Sequence, residues 1–304
     1  EEDIKECSRA FTGWTVHNSE YMALMAQSDS IWPYGRIFWH HEFRPDDHDN
    51  GNKTFLGETG PLGGEDVVQI ISKQLATARF IARHLYNFFV EDEVQVPSWE
   101  TIPPKNPEAV EELTTAYMES QGNIGAVLKT LFGSQFFREA ANKPKVKSPA
   151  ELIVGVLRQT GEFSQPKPGI HEFAVTTLNG SPFEGPLAIM GQRLMNPPTV
   201  EGWHTGFEWI DSGTLSERVG FVEQQFADPS KPGVSAMLKK AGSLDGDPDQ
   251  LVNRCLDLLG GINVRDETRA SLVKYASNLK NEKSEVGVHN LIQMTAATVD
   301  YQFA

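Results

Sequence analysis

From residue 64 to the end of the chain, signals that start an α-helix recur so closely that little else fits between them. Asn106-Pro107 sets a capping side chain ahead of a proline at the first helical position. Ser148 with Glu151 forms a capping box, in which each side chain satisfies a backbone amide the helix leaves unpaired, and Thr214 with Glu217 repeats the pattern. Asp247-Pro248, Arg265-Asp266 and Ser284 open three further helices, while Gly122 and Gly133 stand where helices stop. Between these signals apolar residues return every three or four positions. Val67, Ile70, Ile71, Leu75, Phe80, Ile81, Leu85, Phe88 and Phe89 read as one long helix or two abutting ones. The expected fold is mainly α, an irregular array of roughly nine to eleven helices.

The chain ahead of Gly64 differs. Ile4, Cys7, Phe11 and Trp14 form a helical stripe at the very start, and such a stripe normally packs against preceding chain. We therefore expect this sequence to be the C-terminal part of a longer protein, with self-association or a docked partner at the stripe. Residues 15–63 lose the helical period. Within them Arg36 to Arg44 alternates like a strand, which places a minor β-hairpin near residues 36–56. A loop of this length is usually functional or disordered, and Trp32, Tyr34, Phe38, Trp39 and Phe43 argue against disorder. Two helical lobes are expected, 1–142 and 148–304, joined by the basic link Lys143 to Lys147; one continuous domain also fits.

Charge narrows the partners. With 27 Lys and Arg against 41 Asp and Glu the net charge is −14, which disfavours nucleic acid as a ligand. The most apolar stretch, Phe80 to Val90, is broken by Arg83, His84 and Asn87, so no membrane span is expected. Cys7 and Cys255 both fall on helical stripes and read as buried thiols, with a disulfide between them less favoured.

Three stretches carry a resemblance. The first pairs Ala10-Phe-Thr-Gly-Trp14 with His48-Asp-Asn-Gly-Asn-Lys-Thr-Phe-Leu-Gly57. The second is Ala76 to Arg83 with Leu85 and Phe88-Phe-Val90; the third runs from Met190-Gly-Gln-Arg-Leu-Met-Asn-Pro-Pro to Trp203, Trp209 and Leu215. In order and spacing they resemble a large bacterial family, the domain-of-unknown-function family eighteen hundred. Gln74-Leu75 stand where many members have His-Pro, and His84 where Lys is common; a role for a histidine at the first place would be lost here. The resemblance implies an additional N-terminal helical segment in full-length members. It also implies a secreted or periplasmic location and a neighbouring alkaline-phosphatase-like protein. It implies no particular reaction.

The densest set of ligand-type side chains is His40, His41 and Glu42 with Asp46, Asp47, His48 and Asp49. Imidazole and carboxylate groups this close can hold a divalent metal ion or position a water for acid/base work. His48, Asp49 and Lys53 are the catalytic candidates, and His40, His41, Asp47 and His48 the metal candidates. The segment matches neither the calcium-loop nor the zincin pattern. Equally, these residues would build a turn around Asn50-Gly51. Arg79 and Arg83, four residues apart on one helix, read as an anion clamp or as interior ion pairs to Asp49 or Glu65. Gln192, Asn196, Trp203 and Trp209 surround the rigid Pro197-Pro198; they read as a substrate groove or as a lock holding the loop to the helices. Two functions stay open: an exported hydrolase acting on a polymer, ester-type or other small-molecule substrate, or a noncatalytic scaffold or binding partner of a periplasmic enzyme.

Overall fold

A computed structural model describes residues 1–17, 40–140, 145–161, 184–194, 196–200, 202–242, 247–279 and 284–303. The expected aromatics Trp32, Tyr34, Phe38 and Trp39 lie outside the described residues. The chain divides into two compact units, residues 1–85 with 108–133 and residues 86–107 with 134–304.

The fold is mainly α, with thirteen helices among the described residues. The first unit opens with α1 (Glu2–Ala10), followed by strands β1 (Trp14–His17), β2 (His40–Phe43), β3 (Lys53–Phe55) and β4 (Glu58–Gly60). Helices α2 (Gly64–Ser72), α3 (Leu75–Phe89, of which residues 86–89 fall in the second unit), α4 (Pro107–Glu119) and α5 (Ile124–Gly133) come next. Among the described residues the strands form two antiparallel pairs. β2 pairs upstream with β1, Trp14 opposite Phe43 and His17 opposite His40. β3 and β4 form the hairpin, turning over Leu56 and Gly57, both with positive φ. That is the backbone of a two-residue turn whose twist suits the flanking strands.

A small core joins these elements. Ala10, Phe55 and Val67 are buried, with Cys7, Phe11, Leu62 and Ile70 packed against them. On α3 the buried face is not the expected one. Ala78, Ala82 and Tyr86, spaced by four, are fully buried, whereas Phe80 and Phe88 are exposed. Ala78 and Ala82, small and four apart, let neighbouring groups come close, a signal that bulky-residue periodicity hides.

The second unit continues with α6 (Gln135–Ala140), α7 (Pro149–Thr160), α8 (Glu184–Ile189), α9 (Ser212–Phe226), α10 (Pro232–Ala241), α11 (Pro248–Leu258), α12 (Asp266–Asn278) and α13 (Ser284–Ala296). The six-residue helices α6 and α8 are too short to show a period, which accounts for the helices beyond those expected. The Ser148 box forms as read: Glu151 N–H donates to Ser148 Oγ, and Ser148 N–H to Glu151 Oε2. Helix α9 begins earlier than expected. Asp211 is its cap, accepting from the amides of Gly213 and Thr214, and Thr214 supplies the reciprocal oxygen. Val222, Phe226, Val252, Leu291 and Ile292 anchor the larger core. Cys255 is buried in it and free, and burial pushes its thiol up to about 12; Cys7 is half-buried and free. Among the described residues no helix is long and apolar enough to cross a membrane.

Candidate functional site

The two halves of the first family-like stretch meet in the first unit. Thr12, just past α1, is the hub: its hydroxyl donates to the Arg9 carbonyl at 2.6 Å and accepts from the Asp49 amide at 2.8 Å. Gly13 then turns the chain into β1 with φ of 82°, and a Cβ there would stand 2.7 Å from the Arg44 carbonyl oxygen. Glycine alone tolerates both demands.

His48 is held by the same turn. Its Nδ1 lies 2.8 Å from the Thr12 carbonyl oxygen. A carbonyl oxygen can only accept, so the neutral ring carries its proton on Nδ1 and keeps the lone pair on Nε2. The ring packs edge-on against Phe43, with centroids 5.3 Å apart. Phe43 pairs across the strands with Trp14, and these two with Val16 leave an exposed apolar surface, at 44, 38 and 65 % accessibility.

Asp49 and Lys53 build the loop that carries His48. Arg9 clamps Asp49 through two bonds, Nε to Oδ2 at 2.8 Å and Nη2 to Oδ1 at 3.4 Å. The Arg9 hydrogen bond, helped by the Gly51 amide, holds the Asp49 carboxyl at about 2, below the usual carboxylate range. Lys53 is only 1 % exposed and donates to the carbonyls of Asp49 (2.5 Å) and Gly51 (3.0 Å). A side chain on Gly51 would sit 2.9 Å from Arg9 Nη2, so glycine leaves room for the clamp.

Among the described residues the metal candidates do not gather. His41 is exposed, its ring 4.7 Å from that of Trp14, and Asp47 is exposed in a single turn at Pro45–Asp47. The side chain of His40 lies outside the described residues. Among the described residues no three His, Cys, Asp or Glu side chains are placed to hold one ion. Nor do the arginines act as a pair: Arg79 is exposed and meets Glu111 at 3.4 Å, while Arg83 is buried. Asp49 takes Arg9 in place of either.

In the second unit, Gln192 accepts from the Ala150 amide at 2.8 Å and so completes the start of α7. Trp203 donates to the Arg193 carbonyl at 3.1 Å, and Trp209 is buried with Gly191 over its ring. Asn196 is exposed. His204 pairs with Glu208 at 2.6 Å, both half exposed. Gln192 ties the loop to α7, while Trp203 and His204 bond within the loop.

Sequence reading missed Glu6, Arg9 and Thr12. The signal was there in α1: Asp3, Glu6 and Arg9, three apart, lie off the apolar stripe and face one partner. Asp3 accepts from the Leu56 amide at 2.8 Å, Glu6 from the Thr54 amide at 3.0 Å, and Arg9 donates to the Asn52 carbonyl at 3.3 Å.

A family model described as "Protein of unknown function (DUF1800)" matches residues 1–303. No curated protein and no solved structure matches the chain.

Proposed function

We propose a reading for this chain, which belongs to the DUF1800 family: a hydrolase that uses His48 as a general base toward an ester-type or polymeric substrate. One observation carries it. The Thr12 carbonyl fixes the His48 proton on Nδ1 and leaves the Nε2 lone pair free of that bond, on a ring that packs against the exposed Phe43. An imidazole oriented this way can take a proton from water or from a substrate hydroxyl, and a neighbouring apolar face can hold the substrate's non-reacting part. Asp49, Lys53 and Arg9 are positioning residues, which fix the loop without needing to touch substrate. Acid/base work fits the donors better than metal assistance, because His41, Asp47 and Asp49 each point to separate partners or to solvent. Export to the periplasm or beyond stays in the proposal on the family resemblance alone.

The same apolar face supports a second reading, a noncatalytic binding partner of a periplasmic enzyme such as an alkaline-phosphatase-like neighbour. Exposed aromatic residues clustered beside a rigid loop also suit protein docking.

The His48→Asn variant separates the two. The asparagine Nδ2 can still donate to the Thr12 carbonyl, so the fold should survive with a loss of no more than about 1 kcal/mol. Broad ester and glycan screening, with and without added divalent ions, should find an activity in the parent that falls roughly 10²–10⁴-fold in the variant. Equal activity in both, or metal dependence lost with His48, would replace the acid/base reading. No turnover in either, with a partner captured through Trp14 and Phe43, would favour the second.

A further inference from the structure

The β1–β2 ribbon turns its apolar side outward. Cross-strand partners lie on the same face of a ribbon and alternate residues on opposite faces, so the register puts Trp14, Val16, His41 and Phe43 together. The contact between the rings of Trp14 and His41, centroids 4.7 Å apart, agrees with that register. All four are exposed, whereas Thr15 and Glu42 on the other face are half-buried. An antiparallel pair covered on one side normally gives its polar side to water. Here the order is reversed, and clustered exposed apolar residues mark places where something binds.

Charge narrows the occupant. Pro45–Asp47 forms the single turn that brings the His48 ring back against Phe43. Asp46 and Asp47 on that turn are exposed, and each lies within two residues of His48, about 7 Å of backbone. The cations of this region are already committed: Arg9 to Glu6 and Asp49, Arg44 to Glu42, and Lys53 to two carbonyls. Among the described residues neither Asp46 nor Asp47 is paired with a cation. The end of the face is therefore left negative, on a chain of net charge −14. Guanidinium and ammonium groups are drawn both to such carboxylates and to the faces of tryptophan and phenylalanine rings. A neutral glycan would use the rings and not the charge, and an anionic lipid surface would be repelled.

Resting on the second reading above, in which this face binds a partner, we infer that the partner presents a basic segment. Its arginine or lysine side chains lie over Trp14 and Phe43 and pair with Asp46 and Asp47, and its apolar side chains cover Val16.

Fluorescence polarisation with the whole chain tests this. The probes are a fluorescein-labelled octapeptide of alternating arginine and valine and a second with glutamate in place of arginine. The arginine peptide should bind saturably, and the glutamate peptide roughly tenfold more weakly or not at all. Val16→Lys sets a cation on the face at a position 65 % exposed, where the fold loses little packing, and should weaken the arginine peptide about tenfold. Asp46→Asn with Asp47→Asn should weaken it about fivefold, the effect of two exposed ion pairs. Glu217→Gln with Glu223→Gln removes the same charge from exposed positions of the second unit and should change binding less than about twofold. Circular dichroism checks that each variant keeps its helices. Equal losses in the two acid pairs mean that net charge alone attracts the peptide, and overturn the inference. It is also overturned by a peptide that binds Val16→Lys as well as the parent. A parent that ignores both peptides but binds cellohexaose, with that binding lost in Val16→Lys, makes the face a glycan site instead. The assay needs no turnover, so a chain without hydrolytic activity that still docks the arginine peptide loses the His48 reading and keeps this one.

Discussion

Leu56 is an ill-suited residue at its own position. It sits in the β3–β4 turn with φ of 46°, a region that asparagine and glycine enter at little cost and leucine does not. Its side chain is largely exposed, so replacement loses little packing. Leu56→Asn should raise stability by about 1 kcal/mol, measured by urea unfolding. Lys53 presents the opposite case, a buried ammonium spent on two carbonyls. Lys53→Ala should cost about 2–4 kcal/mol, read as an earlier urea midpoint. Asp49 makes the loop acid-sensitive. Its folded carboxyl titrates below the unfolded one, so the stabilisation is complete above the unfolded value near 4 and disappears as pH falls toward 2. Between those limits the parent's Tm should fall more steeply than that of Asp49→Asn. The sequence did place His48, Asp49 and Lys53 in one turn, because Asn50-Gly51 is a local signal. It could not show that Asp49 belongs to Arg9, since that contact joins residues 40 apart in the chain.

Helices were legible wherever a cap marks them. Ser148 with Glu151 and Asp247 with its following proline act as their chemistry requires. The start of α9 shifted to Asp211 because two overlapping sets of capping residues compete there, and the aspartate offers the stronger acceptor to two amides. Less legible was how α1 meets β3. Along the helix Asp3, Glu6 and Arg9 advance by three residues while their partners Leu56, Thr54 and Asn52 retreat by two. The match depends on helix rise against strand rise, which no local window contains. Hydrogen exchange checks it: in Glu6→Ala the Thr54 amide should exchange faster, and in Asp3→Ala the Leu56 amide. The Phe55 amide, facing β4, should change little in either.

Across the whole molecule the buried clusters differ in size. The second unit has a continuous core of apolar residues from seven helices, whereas the cluster around α1 and the hairpin centres on Ala10, Phe55 and Val67. Buried apolar area is the main resource against chain entropy. On mild denaturation the amides of α1, β3 and β4 should therefore lose protection before those of α9 and α13, followed residue by residue in native-state hydrogen exchange. The overall mainly α class follows from signals spread along the chain. The pairing of β2 with β1 did not show itself, because its halves flank a long intervening stretch.

The carboxylates of α1 also decide what this hairpin can do in a crowded solution. Outward-facing amides of a short β-ribbon are an invitation to any extended peptide, and Asp3 and Glu6 have already accepted those of Leu56 and Thr54. The first helix is thus a guard against strand exchange between molecules. A cut after Ala10 would remove that guard and leave a ribbon able to recruit its own copies into larger aggregates.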